Sequence, residues 1–256
     1  MASIPLLDAN HISLSFAGIQ ALDDVSFQVE RGEVCALIGP NGAGKSSMLN
    51  VASGLYVADA GEVRFEGSPL RGAAELARRG IARTFQNIAL SRGMTVLENV
   101  VLGIDFRGRA SVLEQALRLW RATREEHRSL REAEVILQLL DIARYRNEVV
   151  GQLPYGLQKR VELARALVPH PKLLLLDEPM AGMTVDEKRD MCRYLIDAHE
   201  KLGTTLLLIE HDLSVVMDLS DHVVVLDYGR KIADGSPDVV RTDPAVIQAY
   251  VGSFTA

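Results

Sequence analysis

Residues 39–46 read GPNGAGKS and fit the pattern G-x-x-x-x-G-K-[ST] of a phosphate-binding loop. Its glycines leave room for the backbone to wrap around a polyphosphate, and its N–H groups and the following helix N-terminus point at negative charge. In such a loop Lys45 reaches the β- and γ-phosphates, and the Ser46 hydroxyl ligates Mg²⁺. The predicted nucleotide contacts are Gly39, Pro40, Asn41, Gly42, Ala43, Gly44, Lys45, Ser46 and Ser47.

A second segment, LLLLDE at residues 173–178, is an apolar strand that ends in two carboxylates. Asp177 at the strand tip suits a magnesium ligand, and Glu178 is placed to orient or deprotonate an attacking water. Two acids at a strand end also occur in ordinary solvated turns. The four leucines before them and the phosphate loop upstream favour chemistry instead, so the pair predicts a chain that binds and hydrolyses ATP.

Bulk composition is that of a soluble globular protein, since 48% of the 256 residues are hydrophobic and 24% are charged. The net charge of −6 argues against a nucleic-acid binder, whose surface is usually basic. The spacing of Cys35 and Cys192 does not suggest a metal site, and we expect free thiols in a reducing compartment. We expect no signal peptide and no membrane span, so that any membrane role depends on a partner.

Short apolar runs between turn signals predict strands early and late in the chain. These predicted strands are residues 11–16, 25–29, 33–38, 172–177, 205–209 and 222–226, with a further hairpin around residues 62–66 closed by Gly61 and Gly67. Helices are predicted over residues 44–53, 185–201 and 213–219, and helical spacing replaces strand signals over residues 95–167. The alternation of helices with continuously apolar strands predicts an α/β core with a parallel sheet and a helical insertion.

Three further segments link these motifs to one family: TFQN at residues 84–87, LPYGLQK at residues 153–159 and IEHD at residues 209–212. With them the whole chain resembles the ATPase subunits of ABC transporters, because five elements occur in the order and spacing of that family. The stretches TFQNIAL, LPYG and EPMAGM, and the ending DPAVIQAYVG, make it most similar to the ATPases of branched-chain amino-acid importers.

The resemblance implies the fold. This is the α/β P-loop NTPase fold of ABC ATPases: a RecA-like parallel-sheet core, an N-terminal antiparallel β subdomain and an inserted α-helical subdomain. Residues 1–256 would form a single nucleotide-binding domain, with a core lobe at 1–87 and 169–256 and a helical lobe at 88–168.

The resemblance also implies roles for three residues outside the two motifs. Phe16 would stack on adenine, Gln86 would touch Mg²⁺ or the attacking water, and His211 would contact the γ-phosphate. The alternative interpretation of Phe16 is a core aromatic at a strand end, and a lone histidine after a strand, such as His211, is ordinarily unremarkable. The expected catalytic residues are therefore Glu178, His211, Lys45 and Gln86, and the expected metal ligands are Ser46, Gln86 and Asp177.

In the family, two ATPase domains pair head to tail, and the signature segment (residues 153–159 here) closes over the nucleotide of the other domain. Pro154, Tyr155 and Gly156 would then line the partner's nucleotide, with the N–H groups of Tyr155 and Gly156 facing phosphate.

This signature departs from the commonest family form, LSGGQ. Pro154 replaces a serine, which a first helical position tolerates, and Leu157 replaces a glutamine, which puts that side-chain contact in doubt. A loop of residues 181–184 stands where the family often has an aspartate, so either that loop or Asp186 would cross the dimer.

The resemblance implies ATP and Mg²⁺ as cofactors, separate transmembrane permease subunits and a second ABC ATPase as partners, and an extracytoplasmic solute-binding protein as an indirect partner. The chain would be peripheral on the cytoplasmic face of the inner membrane, in a heterodimer by preference over a homodimer. A branched-chain amino acid is the expected cargo, with urea, short amides or aromatic acids as alternatives. Two rival functions are a soluble ABC protein acting on ribosomes or DNA, and a weakly catalytic partner of a stronger ATPase.

Overall fold

The computed structural model describes residues 4–84, 88–105 and 120–252. Near the N-terminus lies a four-stranded antiparallel sheet, whose strands are β1 (Leu7–Phe16), β2 (Ile19–Val29), β4 (Ala60–Phe65) and β5 (Ser68–Pro69). Their order is β2-β1-β4-β5. Polar residues alternate with buried ones along β1 and β2, as expected for a sheet with one face in the core.

The second sheet has six strands: β3 (Val34–Ile38), β6 (Ile81–Arg83), β7 (Leu173–Asp177), β8 (Thr205–Ile209), β9 (His222–Asp227) and β10 (Arg230–Gly235). Their order is β10-β9-β3-β8-β7-β6, parallel throughout except for the antiparallel edge strand β10. All five residues of β3, β7 and β8 are buried, because both faces of this sheet are covered. β3 leads at its carboxyl end into the phosphate loop, and β7 ends at the acidic pair.

Helices connect the strands along the chain and pack on both faces of the larger sheet. They are α1 (Lys45–Ala52), α2 (Ala73–Arg79), α3 (Val96–Asp105), α4 (Trp120–Leu139), α5 (Tyr155–Leu167), α6 (Val185–Leu202), α7 (Leu213–Leu219), α8 (Pro237–Thr242) and α9 (Pro244–Gly252). Within the described residues, no helix is both long enough and apolar enough to cross a bilayer. Both cysteines are free thiols.

Two hydrophobic cores lie on opposite faces of the parallel sheet, and the central strands β3, β7, β8 and β9 contribute alternate residues to them. Leu174 and Leu176 of β7 belong to the helix-side core, which continues into α3, α4 and α5. Leu173 and Leu175 belong to the sheet-side core, which includes α1 and the antiparallel sheet. The period of two along a strand therefore divides the interior into two bodies that share one sheet.

The predicted α/β architecture and its helical insertion are confirmed, but several boundaries and elements were not predicted correctly. β1 and β2 begin earlier than residues 11 and 25, and Gly61 lies inside β4 rather than closing a hairpin. The sequence patterns did not predict α2, β6, β10, α8 or α9. β10 is an edge strand without a buried residue, so it lacks the apolar alternation that marks a strand.

Candidate active site

The phosphate loop joins the end of β3 to the start of α1, and its backbone geometry depends on glycine. Gly39 and Gly44 have φ angles of 147° and 99°. A Cβ atom at Gly39 would lie 2.0 Å from the Leu226 carbonyl oxygen, and one at Gly44 would lie 2.6 Å from the Ala21 carbonyl oxygen. The loop thus packs against β9 at Gly39 and against β2 at Gly44. Its remaining face, which contacts neither strand, is left for a ligand.

The turn between β9 and β10 and the helix α9 also contact the phosphate loop. The Gly229 N–H, in the turn between β9 and β10, donates to the Ala43 carbonyl at 3.0 Å, and the Asp23 N–H donates to the Gly229 carbonyl at 2.8 Å. Burial raises the pKa of Tyr250 in α9 to about 12, and the Gly39 backbone opposes that rise, which puts the C-terminal helix beside the loop.

Lys45, the first residue of α1, is only 5% exposed. Its Nζ donates to the Gly39 carbonyl at 2.7 Å and to the Pro40 carbonyl at 2.8 Å, so the ammonium is held at the mouth of the loop. Burial lowers the pKa of Lys45, and the carboxylates of Glu178 and Asp177 oppose that shift. The structure therefore brings the predicted lysine and the predicted acidic pair into one electrostatic site.

Asp177 ends β7 and is almost fully buried beside Arg83 of β6. The Arg83 Nη2 donates to the Asp177 Oδ2 at 3.1 Å, while Oδ1 is buried without a hydrogen-bond partner in the part of the chain described. Burial raises the pKa of Asp177, Arg83 opposes that rise and Glu178 adds to it. A buried carboxylate oxygen with no donor fits a cation ligand, and the exposed Ser46 at the start of α1 adds a second oxygen of the kind that Mg²⁺ prefers.

Glu178 follows Asp177 directly, but its side chain lies beside a histidine and not beside an arginine. Its Oε1 lies 2.7 Å from the His211 Nε2, and its backbone N–H donates to the Ile209 carbonyl at 3.0 Å. The φ angle of Glu178 is +48°, a left-handed conformation that a residue with a Cβ adopts only where the surroundings impose it. A carboxylate beside a histidine, next to a phosphate loop, can orient a water and accept its proton.

The signature segment opens α5. The structure corrects the prediction for Pro154: this residue is the N-cap, and the helix begins at Tyr155. The Leu157 side chain packs against the helix-side core, so the side-chain contact expected of a glutamine there is absent from this position. The Tyr155 hydroxyl donates to the Ala181 carbonyl at 3.2 Å, and Gly156 lies against the Glu187 carboxylate.

Phe16 ends β1 with 44% of its surface exposed. Its ring meets Tyr56 edge to face, with centroids 5.3 Å apart and an interplanar angle of 69°. The ring is therefore not a buried core aromatic, and a flat base could stack on it. Gln86 lies outside the described residues.

Arg83 and Lys159 are charged residues of the site that sequence reasoning missed. Arg83 is paired in register with Leu175 of β7, and Lys159 is 3% exposed with its charge acting on Asp177. Recognising Arg83 would have required prediction of the three-residue strand β6. Lys159 lies inside the signature segment, but only the packing of α5 reveals the direction of its side chain.

Two family models match the chain. One, described as ABC transporter, covers residues 22–181, and the other, described as Branched-chain amino acid ATP-binding cassette transporter, covers residues 230–254. The second match includes β10, α8 and α9, which the secondary-structure patterns did not predict.

Curated relatives and solved structures agree with these matches. The chain is 35% identical to the high-affinity branched-chain amino acid transport ATP-binding protein BraF of Pseudomonas aeruginosa, over 98% of this chain and 99% of the relative. It is 34% identical to LivG of Escherichia coli strain K12, of the same description, over the same shares. A crystal structure of an ATP-binding cassette of an ABC transporter in its ADP conformation has 36% identity and a TM-score of 0.84, over 98% of this chain and all of the other. A nucleotide-free cassette has 35% identity and a TM-score of 0.82, over 96% of this chain and 98% of the other.

Proposed function

Because this chain belongs to the ABC transporter family as an ATP-binding, ATP-hydrolysing subunit, we propose that its turnover powers the import of branched-chain amino acids. The observation that carries the catalytic part is the arrangement at the carboxyl edge of the parallel sheet. There Lys45, Asp177 and the Glu178–His211 pair lie around one phosphate loop. The cargo rests on the names of the relatives, since a transporter's ATPase does not itself contact the cargo.

The proposed roles follow from these surroundings. The loop N–H groups and Lys45 bind the β- and γ-phosphates, and Glu178 orients the attacking water and accepts its proton. His211 fixes the Glu178 carboxylate through the 2.7 Å contact and lies ready to contact the γ-phosphate. Ser46 and the buried Asp177 would hold Mg²⁺, which supplies charge neutralisation at the phosphates, and Gln86 is proposed to contact the ion or the water.

We propose further that two such subunits close head to tail around ATP, with Pro154, Tyr155 and Gly156 facing the partner's nucleotide. The N-terminus of α5 supplies partial positive charge there. A second, homologous ATPase is the favoured partner, and a second copy is the alternative. ATP would then stabilise the closed dimer relative to the separate subunits, because it binds the closed dimer with higher affinity.

Permease subunits would dock on the side of the helical lobe near residues 87–103. A cavity of about 380 Å³ lies between the proposed core lobe (1–87 and 169–256) and helical lobe (88–168), and it reaches the end of that range at Gly103. Ser53, Leu55, Ile81, Gly103, Arg165 and Pro171 are among its lining residues. A cavity bounded by both lobes suits a partner that senses their relative motion. The chain would then be peripheral on the cytoplasmic face of the membrane, with a solute-binding protein delivering cargo on the other side.

The catalytic proposal is tested with Glu178→Gln. We expect ATP turnover to fall by about 100-fold or more, while ATP binding persists and the protein forms a stable dimer in Mg-ATP on size-exclusion chromatography. Glu200→Gln, on the exposed face of α6, is the matched control and should turn over like the parent. Adding Lys45→Ala to Glu178→Gln should abolish the dimer, because the phosphates lose their cation. Unaltered turnover in Glu178→Gln would refute the assignment.

The transport proposal is tested by gentle solubilisation of native membranes, capture of this chain and mass spectrometry of what accompanies it. Two multi-span permeases and a second ATPase would support an importer and a heterodimer. A binding protein recovered with them would be assayed with leucine, isoleucine and valine, and with urea, amides and aromatic acids as the competing cargoes. Ribosomal or DNA-repair proteins without permeases would leave the ATPase chemistry intact and overturn the transport role.

A further inference from the structure

The loop of residues 179–183 connects Glu178 to helix α6, and the first turn of α5 packs along it. The loop begins in a turn, since the Ala181 N–H donates to the Glu178 carbonyl at 3.1 Å. The position of the loop is thus directly coupled to the backbone of Glu178, the proposed catalytic base. Glu178 has a left-handed conformation, which its surroundings must impose.

Tyr155 holds the middle of this loop. Its hydroxyl donates to the Ala181 carbonyl at 3.2 Å, and its ring covers Gly182 so closely that a Cβ there would lie 3.2 Å from the Tyr155 Cε1. Gly182 has a φ angle of +76°, so the loop passes under the ring in a conformation that favours glycine. The tyrosine therefore makes a polar contact with Ala181 and a packing contact with Gly182.

The two ends of the loop are also held, but by other groups. At its start, the Met180 N–H donates to the buried Glu210 carboxylate at 3.0 Å. At its end, Thr184 and Glu187 form a capping box at the N-terminus of α6, and a Cβ atom at Gly156 would lie 2.2 Å from the Glu187 Oε1. The signature segment thus contacts the loop through Tyr155 and the first turn of α6 through Gly156.

We propose that the Tyr155 side chain is a positioning residue for hydrolysis at Glu178 of its own chain, in addition to any contact that its N–H makes with a partner's nucleotide. By fixing Ala181 and Gly182, it sets the turn from which the Glu178 carboxylate projects. The same residue then joins two nucleotide sites: its backbone faces the partner's ATP, and its side chain adjusts the base that acts on its own. This inference rests on the proposed role of Glu178.

The test is Tyr155→Phe, which deletes the hydroxyl and keeps the ring, measured by steady-state ATPase kinetics of the full chain. We expect kcat to fall about three- to tenfold, as the loss of one neutral hydrogen bond predicts, with KM for ATP unchanged. Tyr228→Phe, which removes a hydroxyl from a tyrosine that is 86% exposed, is the control and should match the parent. Gly182→Ala disturbs the same contact from the loop side and should also lower kcat.

Two results would overturn the inference. A raised KM with kcat preserved, or loss of the ATP-dependent dimer when Tyr155→Phe is placed in the Glu178→Gln background, would mean that the hydroxyl acts on the partner's nucleotide instead. Parental kcat in both Tyr155→Phe and Gly182→Ala would mean that the contact has no catalytic role. Failure of the proposed function itself is recognised separately, by a Glu178→Gln variant that retains turnover.

Discussion

Adjacent carboxylates at the end of β7 differ in their surroundings, and that difference supports the roles proposed for them. Asp177 is buried beside Arg83, and one of its oxygens has no donor among the described residues. Glu178 faces His211, which is itself partly open to solvent. A buried acid next to a cation suits the binding of a metal ion, whereas an acid with access to solvent and a histidine partner suits work on water.

At the same scale, Phe16→Ala tests the proposed adenine contact. Stacking contributes equally to ground-state and transition-state binding, so KM for ATP should rise several-fold while kcat changes little. Ile19→Ala, in the same hairpin and 74% exposed, is the matched control. Steady-state kinetics separate the two constants, and a loss confined to kcat would contradict stacking by Phe16.

At the scale of elements, the short segment of residues 89–91 is held by side chains from two helices. The Arg165 Nη1 of α5 donates to the Ala89 carbonyl at 2.6 Å, and the buried Glu162 accepts from the Ala89 N–H at 3.4 Å. The Asn99 of α3 accepts from the Ser91 N–H at 2.8 Å and donates to the Ser91 carbonyl at 3.1 Å. The segment that follows the TFQN stretch is therefore fixed to the same helix that carries the signature.

Asn99→Ala tests that attachment. Asn99 is fully buried, and its side chain also donates to the Thr95 carbonyl at 3.0 Å, so its removal leaves buried polar groups without partners. We expect the free energy of unfolding to fall by about 2–3 kcal/mol. Urea unfolding measures it, with Asn147→Ala on an exposed turn of the same lobe as control. A loss no larger than that of the control would show that the segment is held by other means.

These elements also mark the limit of what the sequence could predict. The leucine run of β7 and the glycine loop before α1 carry their structure in local patterns, so the parallel core and the strand–loop–helix unit around residues 39–44 were predicted correctly. The contacts of Arg83 with Asp177 and of Tyr155 with Ala181 join segments far apart in the chain, and no local pattern encodes them. β10 was missed for the related reason that an exposed edge strand has little apolar periodicity.

At the scale of the whole molecule, one charged cluster joins β9 and the edge strand β10 to Glu33, the residue that precedes β3. His222 of β9 lies 2.8 Å from Glu33 through Nδ1 and 2.6 Å from Asp234 through Nε2. Hydrogen bonds to Asp234, Cys35 and Glu33 raise the pKa of His222 to about 12, against the effect of burial. Lys231 also pairs with Asp234, so the cluster contains two cations and two carboxylates.

His222→Gln should therefore destabilise the protein in a pH-dependent way. A raised pKa in the folded state contributes stability that is complete below the ordinary histidine pKa of about 6.5 and is lost as pH rises toward about 12. The difference in unfolding free energy between parent and variant should be largest near about pH 6 and smaller near about pH 10. Urea unfolding at both pH values measures it, with His127→Gln on the exposed part of α4 as control. A difference that grows with pH would contradict the assignment.

The two cores that share the parallel sheet have a genetic consequence. Leu174 and Leu175 are neighbours in the chain, yet their side chains enter opposite bodies of the molecule. A defect at Leu174 should accordingly be rescued by second-site suppressors among residues of the helix-side core such as Val161 or Leu163, and a defect at Leu175 by suppressors such as Phe65 or Met48. Compensating substitutions should thus separate into two sets that alternate residue by residue along β3, β7, β8 and β9.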